Sequence, residues 1–293
     1  MTQVFDGILV LDKPAGPTSH DIVARVRRIT GTKVGHTGTL DPAATGVLPL
    51  VLGRATRLSR FIQAVDKEYV AAIRLGIETD SYDAEGRVVD RRPVPRFSEA
   101  EINAWLRTFV GEIDQIPPMF SAVKLGGERL YKAARRQETV ERSPRRITVF
   151  AIDLNDWEPE ILKLRIHCSS GTYIRSIAHD LGALIGCGAH LESLRRTRTG
   201  EFTLEQSVQV EELEAHWRDR LIPLEQMLSE FPTLDLSPTD AKRVRHGNSI
   251  TLPTEGTTLS ATPIRLFHRG QFVALGEMRQ EVLTPILVLR PND

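Results

Sequence analysis

GHTGTLDPAATGVLP, the stretch from Gly35 to Pro49, decides how this chain is read. It sets one carboxylate, Asp41, among glycines, threonines and prolines with no second acid nearby. Gly38, Pro42, Gly46 and Pro49 predict a turn-rich loop entering a short apolar run from Val47 to Leu52. On local residues alone Asp41 caps neighbouring amides in a tight turn, because Asp-Pro is ordinary turn chemistry. The rest of the chain decides between that cap and a carboxylate that does chemistry.

The bulk numbers narrow the classes. At 293 residues the chain can hold one large domain plus a small one, and 41% hydrophobic residues supply a core. The apolar patch near the N-terminus, Ile8 to Leu11, is too short for a signal segment, and no run approaches a membrane span. A soluble, cytoplasmic protein with no membrane partner is expected. Cys168 and Cys187 form no CxxC pair and are expected as small core residues, while the eight histidines form no HExxH motif or His/Cys cluster. No phosphate-binding P-loop is present, and GCGAHL at Gly186 lacks the third glycine and the spaced acid of a dinucleotide site. The expected chemistry uses no metal and no cofactor.

Formal charge sums to zero but is unevenly placed. Arg25, Arg27, Arg28, Lys33, Arg54, Arg57 and Arg60 flank the Asp41 loop in sequence, and Arg129, Lys132, Arg135, Arg136, Arg142, Arg145 and Arg146 form a second block. Acids collect between Glu205 and Glu230. A basic face for nucleic acid with an acidic back fits this pattern, and so do solvated helix faces.

In chain order, Gly7 to Leu11 reads as a buried strand. A helix follows, capped by Thr18 or Ser19, with Asp21 in its first turn and Gly31 at its end. Arg54 to Ala64 has helical spacing, YVAAIRLG after Lys67 is β-prone, and GIETDSYDAEGRVV reads as strand, turn and strand. Ser98 and Glu101 form a capping box for a helix through Val110. Ile147 to Leu154 and Ile161 to Ser169 read as strands, and Ile174, Ile177, Ala178 and Leu181 have helical spacing. Glu205 to Glu230 reads as an acidic, partly helical connector with a boundary at Phe231-Pro232. Beyond it come a short helix holding Ala241 and Val244, then strands at Ile250 to Leu252, Pro263 to His268, Gln271 to Leu275 and Ile286 to Leu289, with a hairpin turn at Arg269-Gly270.

The stretch quoted first resembles the catalytic motif of the TruB family of tRNA pseudouridine synthases. KPAGPTSHD resembles that family's first motif, Lys67-Glu68-Tyr69 its KxY, and QIPPMFSAVKLGGERLYKAAR its PPxYSAxKxxGxxxYxxAR, with Phe120 in place of a tyrosine. GTYIRS and LRRT, at Tyr173, Arg175 and Leu194, make a second long match. Ser81 stands where the family usually has threonine, a departure expected to touch only the turn. The resemblance covers the chain strongly to Gly200 and loosely beyond, where the remaining strands are similar to a PUA domain.

This resemblance implies an α+β fold, with a mixed-sheet pseudouridine synthase catalytic domain over residues 1–231 and a small C-terminal β-barrel, a PUA-like RNA-binding domain, over 232–293. It implies isomerisation of uridine 55 in the T loop of tRNA by base flipping, with the T-arm stem-loop as partner and the protein a monomer. Asp41 is then the nucleophile, Arg175 keeps it ionised by lowering its pKa, and Tyr69 lies on the target base. His36, Tyr173, Leu194, Lys13 and Arg54 form the substrate-binding set, with Lys13 bracing the catalytic loop. Each has an ordinary reading too: Tyr69 and Tyr173 as core, Arg175 as a helix-surface ion, Leu194 as helix core. Two other functions remain open at this point, guide-RNA-directed modification inside a ribonucleoprotein and tRNA binding or folding assistance, which coexists with catalysis.

Overall fold

The computed structural model describes residues 5–121, 123–125, 128–130, 136, 138, 140–252 and 263–290, with 124–125 and 128–129 as backbone only. Lys132 and Arg135 of the second basic block, the Arg129 side chain, and Gly126, Gly127 and Tyr131 of the motif around them lie outside the described residues.

The strand Gly7–Lys13 is buried along its whole length. Its alternate residues enter different cores: Leu9 and Leu11 join the main cluster, Ile8 and Val10 a second one on the opposite face. A strand covered on both faces needs apolar residues at every position, hence its continuous rather than alternating pattern. It pairs antiparallel with Thr45–Leu52. From there the mixed sheet runs through Ala189–Thr199, Lys67–Leu75, Ile161–Cys168 and Arg145–Glu158 to Gly111–Gln115 at one edge. The contact between Thr45–Leu52 and Ala189–Thr199 is parallel, pairing Arg195 with Thr45 and Arg196 with Gly46. Lys67–Leu75 alternates buried and less buried positions, so Tyr69, Ala71 and Ile73 face the main core.

The helices pack on that core face. Ser19–Thr30 starts from a Thr18/Asp21 capping box and ends at Gly31 with φ 65°. Glu99–Arg107 starts from the Ser98/Glu101 box but stops before Val110, because Thr108 to Val110 close turns and Gly111 opens the edge strand. Ile174–Ile185 begins at Tyr173 and ends at Gly186 with φ 89°. Cys168 and Cys187 are free and buried, as small core residues.

Two expectations change. Leu194 is not helical: LESLRRTRT lies within the strand Ala189–Thr199, and Leu194 pairs with Ala71. The acidic connector is a string of short pieces, of which Val208–Gln209 and Ile222–Pro223 add to the flanks of the first strand. The C-terminal residues form a five-stranded sheet in the order Thr233–Asp235, Ile264–His268, Gln271–Arg279, Val282–Val288 and Ile250–Thr251, a half-barrel consistent with a PUA-like module. Its turn at Arg269 and Gly270, φ 51° and 75°, is the two-residue reversal with both central residues at positive φ. Among the described residues no helix is long and apolar enough to cross a membrane. The α+β class holds.

Candidate active site

Asp41 sits between the strands Val34–His36 and Thr45–Leu52, in a loop whose backbone is held from three directions. The buried Lys13 ammonium donates to the carbonyls of Pro14, Pro42 and Ala44 at 2.9, 3.0 and 2.8 Å. Its three hydrogens are thereby spent inside the protein. Ser19, at the start of the first helix, accepts from Leu40 N and donates to Leu40 O, at 2.9 and 3.0 Å. Arg196 donates Nε to Val47 O and Nη2 to Gly38 O, at 2.7 and 3.1 Å. Two cations and a hydroxyl thus fix the residues on either side of Asp41 through their backbone carbonyls.

The carboxylate itself faces outward, with 43% of its side chain exposed against 7% for Arg175. Arg175 Nη2 lies 3.1 Å from Asp41 Oδ2. The same guanidinium reaches Asp83 Oδ2 at 3.2 Å and the carbonyls of Ser81 and Phe120 at 3.4 and 2.9 Å. Sharing has a consequence. Burial pushes the Asp41 carboxyl above the usual carboxylate range, Arg175 and Lys13 pull it back, and Asp83 pushes it up again. The net direction is upward, opposite to the expectation that Arg175 lowers it, because one guanidinium divided between two acids does not offset the lost water. With much of the side chain open to solvent, the rise is smaller than full burial gives.

Tyr69 is buried opposite Arg196, and burial drives its hydroxyl well above its usual range, so it stays protonated near neutrality. Tyr173, at the N-terminus of the Arg175 helix, has its peptide clamped by Gln115, which accepts from Tyr173 N at 2.8 Å and donates to Tyr173 O at 3.0 Å. The Asp41 charge acts on both tyrosines. Leu194 lies two residues from Arg196 on the face that carries Tyr69, half-buried at the margin of the core. His36 meets the His20 ring edge to face at 5.2 Å, and its Nδ1 is buried with no partner among the described residues. Burial, then His20 and Arg196, hold its imidazole below the usual range.

Arg54 is not brought to Asp41. Its Nε is 2.7 Å from Asp6 Oδ2, and it lines a cavity of about 380 Å³ with Glu225, Arg245 and Phe272, against the C-terminal sheet. Arg57 also points that way, donating to Val288 O at 2.7 Å. Sequence reasoning missed Asp83 and Arg196. It also underrated Ser81, whose hydroxyl bonds the Asp83 carboxylate and whose carbonyl holds Arg175, so this departure lies in the site and not merely in a turn. Among the described residues no group of three or more His, Cys, Asp or Glu side chains could hold a metal ion.

An outward-facing acid on a braced loop stands beside a buried arginine that bridges it to a second acid, and two protonated tyrosines lie within reach of its charge. Residues 26–174 match the model of the TruB family pseudouridylate synthase N-terminal domain, and residues 175–231 that of the tRNA pseudouridylate synthase B C-terminal domain. The chain is 45% identical over 277 residues to tRNA pseudouridine synthase B of Dechloromonas aromatica, covering 93% of this chain and 91% of that one. It is also 45% identical over 294 residues to that of Thermobifida fusca, covering 97% and 98%. Among solved structures it resembles one described as a Cbf5-Nop10-Gar1 complex, with TM-score 0.74 and 28% identity over 98% of this chain and 86% of that one. A second, an H/ACA RNP bound to a substrate RNA containing 2'-deoxyuridine, gives 0.72 and 26% over the same shares. The fold and these matches define a pseudouridine synthase. Within that class the chain belongs to the TruB family, and it is an isomerase that converts uridine to pseudouridine in tRNA.

Proposed function

We propose that the substrate is uridine 55 in the T loop of tRNA and that Asp41 is the nucleophile, acting on a base flipped out of the loop. The observation that carries this reading is the Asp41–Arg175 pair, an exposed carboxylate held at 3.1 Å by a buried cation. Isomerisation breaks the N1 to C1′ bond, turns the uracil and joins C5 to C1′, with the C5 proton released to solvent and a proton taken up at N1. It needs a nucleophile, a closed pocket and an exposed base, with no redox partner and no phosphate energy. Ionised Asp41 attacks C1′ or C6, or assists elimination to a glycal; each route uses the same carboxylate.

Arg175 orients that carboxylate from behind while Asp83 keeps the guanidinium in place. Tyr69, held protonated by burial, stacks on the uracil, a contact worth about 1 to 3 kcal/mol in single-strand binders. Tyr173 and Leu194 line the pocket. His36, an uncharged imidazole, fills space that the flipped nucleotides vacate. Lys13 acts indirectly, by bracing the loop. Arg54, paired with Asp6, would meet RNA only at the C-terminal sheet, where residues from 232 onward form the PUA-like module. The reading includes a cytoplasmic monomer that needs no guide RNA, and binding of the T arm that also assists tRNA folding. The relatives at 45% identity are tRNA pseudouridine synthase B, which favours direct tRNA recognition over a guided particle.

The test is an unmodified tRNA transcript incubated with this protein alone, followed by chemical mapping of pseudouridine along the whole molecule. Modification confined to position 55 supports the proposal. Modification elsewhere, or none until a guide RNA and further proteins are added, contradicts it.

A further inference from the structure

The turn that carries Asp83 to Arg175 contains a conformational anomaly. Tyr82, between Ser81 and Asp83, has φ 65°. A bulky side chain adopts this left-handed conformation only when its surroundings hold it there. What holds it is visible. The Tyr82 ring lies flat on His179, with centroids 3.9 Å apart and planes 13° from parallel. His179 follows Arg175 by four residues in the helix Ile174–Ile185, so both side chains leave the same helix face one turn apart.

The turn is therefore fastened to that helix at two points. Arg175 takes the Asp83 carboxylate and the Ser81 carbonyl, and His179 takes the ring of the residue between them. From the other side Leu191 N donates to Tyr82 O at 2.9 Å, and Tyr82 N donates to Thr79 O at 3.2 Å. His179 works here through its ring face: Nδ1 is buried without a hydrogen bond among the described residues and lies 3.6 Å from the Glu78 carboxylate.

We propose that Tyr82 and His179 are positioning residues for the isomerisation, their stack fixing the left-handed turn that aims Asp83 at Arg175 and so sets the guanidinium against Asp41. This inference rests on the roles given above to Asp41 and Arg175. If the stack is lost, the turn relaxes to an ordinary φ, Asp83 swings away, and Arg175 keeps only one acid to orient it. Displacing a catalytic group by about 1 Å costs on the order of a hundredfold in rate. A displacement transmitted through Asp83 and Arg175 should cost about tenfold on the same scale.

The experiment measures single-turnover tritium release from a T-arm stem-loop labelled at uridine C5, at saturating protein, alongside the protein concentration that gives half-saturation. Tyr82→Ala and His179→Ala should each slow release about tenfold while half-saturation moves less than about twofold, since neither residue is placed on the RNA. The double variant should be no more than about twofold slower than the slower single one, because the stack is lost only once. Tyr82→Phe, which keeps the ring, should restore release to within about twofold. Wild-type rates for both alanine variants, losses that multiply in the double variant, or a Tyr82→Phe no faster than Tyr82→Ala would overturn the proposal. Should Tyr82→Ala not fold, His179→Ala and a rescuing His179→Phe read the same stack from the helix side. Asp41→Asn is run in parallel. If it releases tritium, the site assignment itself fails; if it is silent while the stack variants match wild type, only the positioning role fails.

Discussion

Asp41 is held between opposing influences, and the sign of the balance is measurable. Burial and Asp83 raise its pKa while Arg175 and Lys13 lower it, with the rise winning. A carboxyl whose folded pKa lies above its unfolded one binds protons more readily in the folded state. Its contribution to stability is then full at low pH, falls as pH rises through the carboxylate range, and leaves the ionised group a net cost at neutrality. Asp41→Asn removes that cost while Arg175 keeps Asp83 at 3.2 Å. In urea unfolding the variant should gain on wild type between about pH 4 and pH 7, reaching no more than about 1 kcal/mol because water screens a side chain left 43% exposed. A variant less stable than wild type at pH 7 would show that the Arg175 pair dominates. At this scale the sequence named candidates but said little about their environment. The motifs picked out Asp41, Arg175, Tyr69 and Tyr173, but Asp83 looked like one more turn acid in GIETDSYDAEGRVV. Nothing in that stretch says that the turn folds back onto a helix that begins at Ile174.

At the scale of elements, the site exists because two strands distant in sequence meet in parallel at Gly46. A Cβ there would lie 2.1 Å from Arg196 O, and the residue has φ 102°. Gly46→Ala therefore strains the backbone and pushes apart the two strands that carry the Asp41 loop and Arg196. It should cost about 3 kcal/mol or more in urea unfolding, within the range of strain and overpacking effects, and tritium release should fall with it. A Gly46→Ala protein as stable and active as wild type would mean that this close approach is not required. Helix starts were legible here because capping is local chemistry: Thr18 with Asp21 and Ser98 with Glu101 lie where the residues put them. The pairing of Arg196 with Gly46 was not, since register between strands so far apart depends on the whole sheet. For the same reason Leu194 passed for a helix residue, its neighbours Arg195, Arg196 and Arg198 offering no strand alternation to read.

At the scale of the molecule, the C-terminal half-barrel shares a core with the catalytic sheet. Phe267, Phe272, Leu275 and Leu289 pack in one cluster with Ile8, Val10, Val47 and Val51, and Arg265 donates to Phe231 O and Met227 O at 3.1 and 3.2 Å. Composition suggested a boundary at Phe231-Pro232, and we propose that it divides functions more than folding units. Calorimetry of the full chain should show a single unfolding transition. Ending the chain at residue 231 should lower Tm by about 5 °C or more, because apolar residues of the strands Gly7–Lys13 and Thr45–Leu52 lose their cover. Two resolved transitions, with the first 231 residues melting where the full chain does, would make the half-barrel an independent appendage.

The central claim is that Asp41 performs the isomerisation in tRNA. Its most direct test is tritium release from C5 of the labelled uridine in a T-arm stem-loop, comparing wild type with Asp41→Asn while RNA binding is followed in parallel. The account predicts release by wild type alone, with both proteins binding the RNA to within about threefold, since the carboxylate acts on the base and not on affinity. Release by Asp41→Asn at a rate near that of wild type would contradict it.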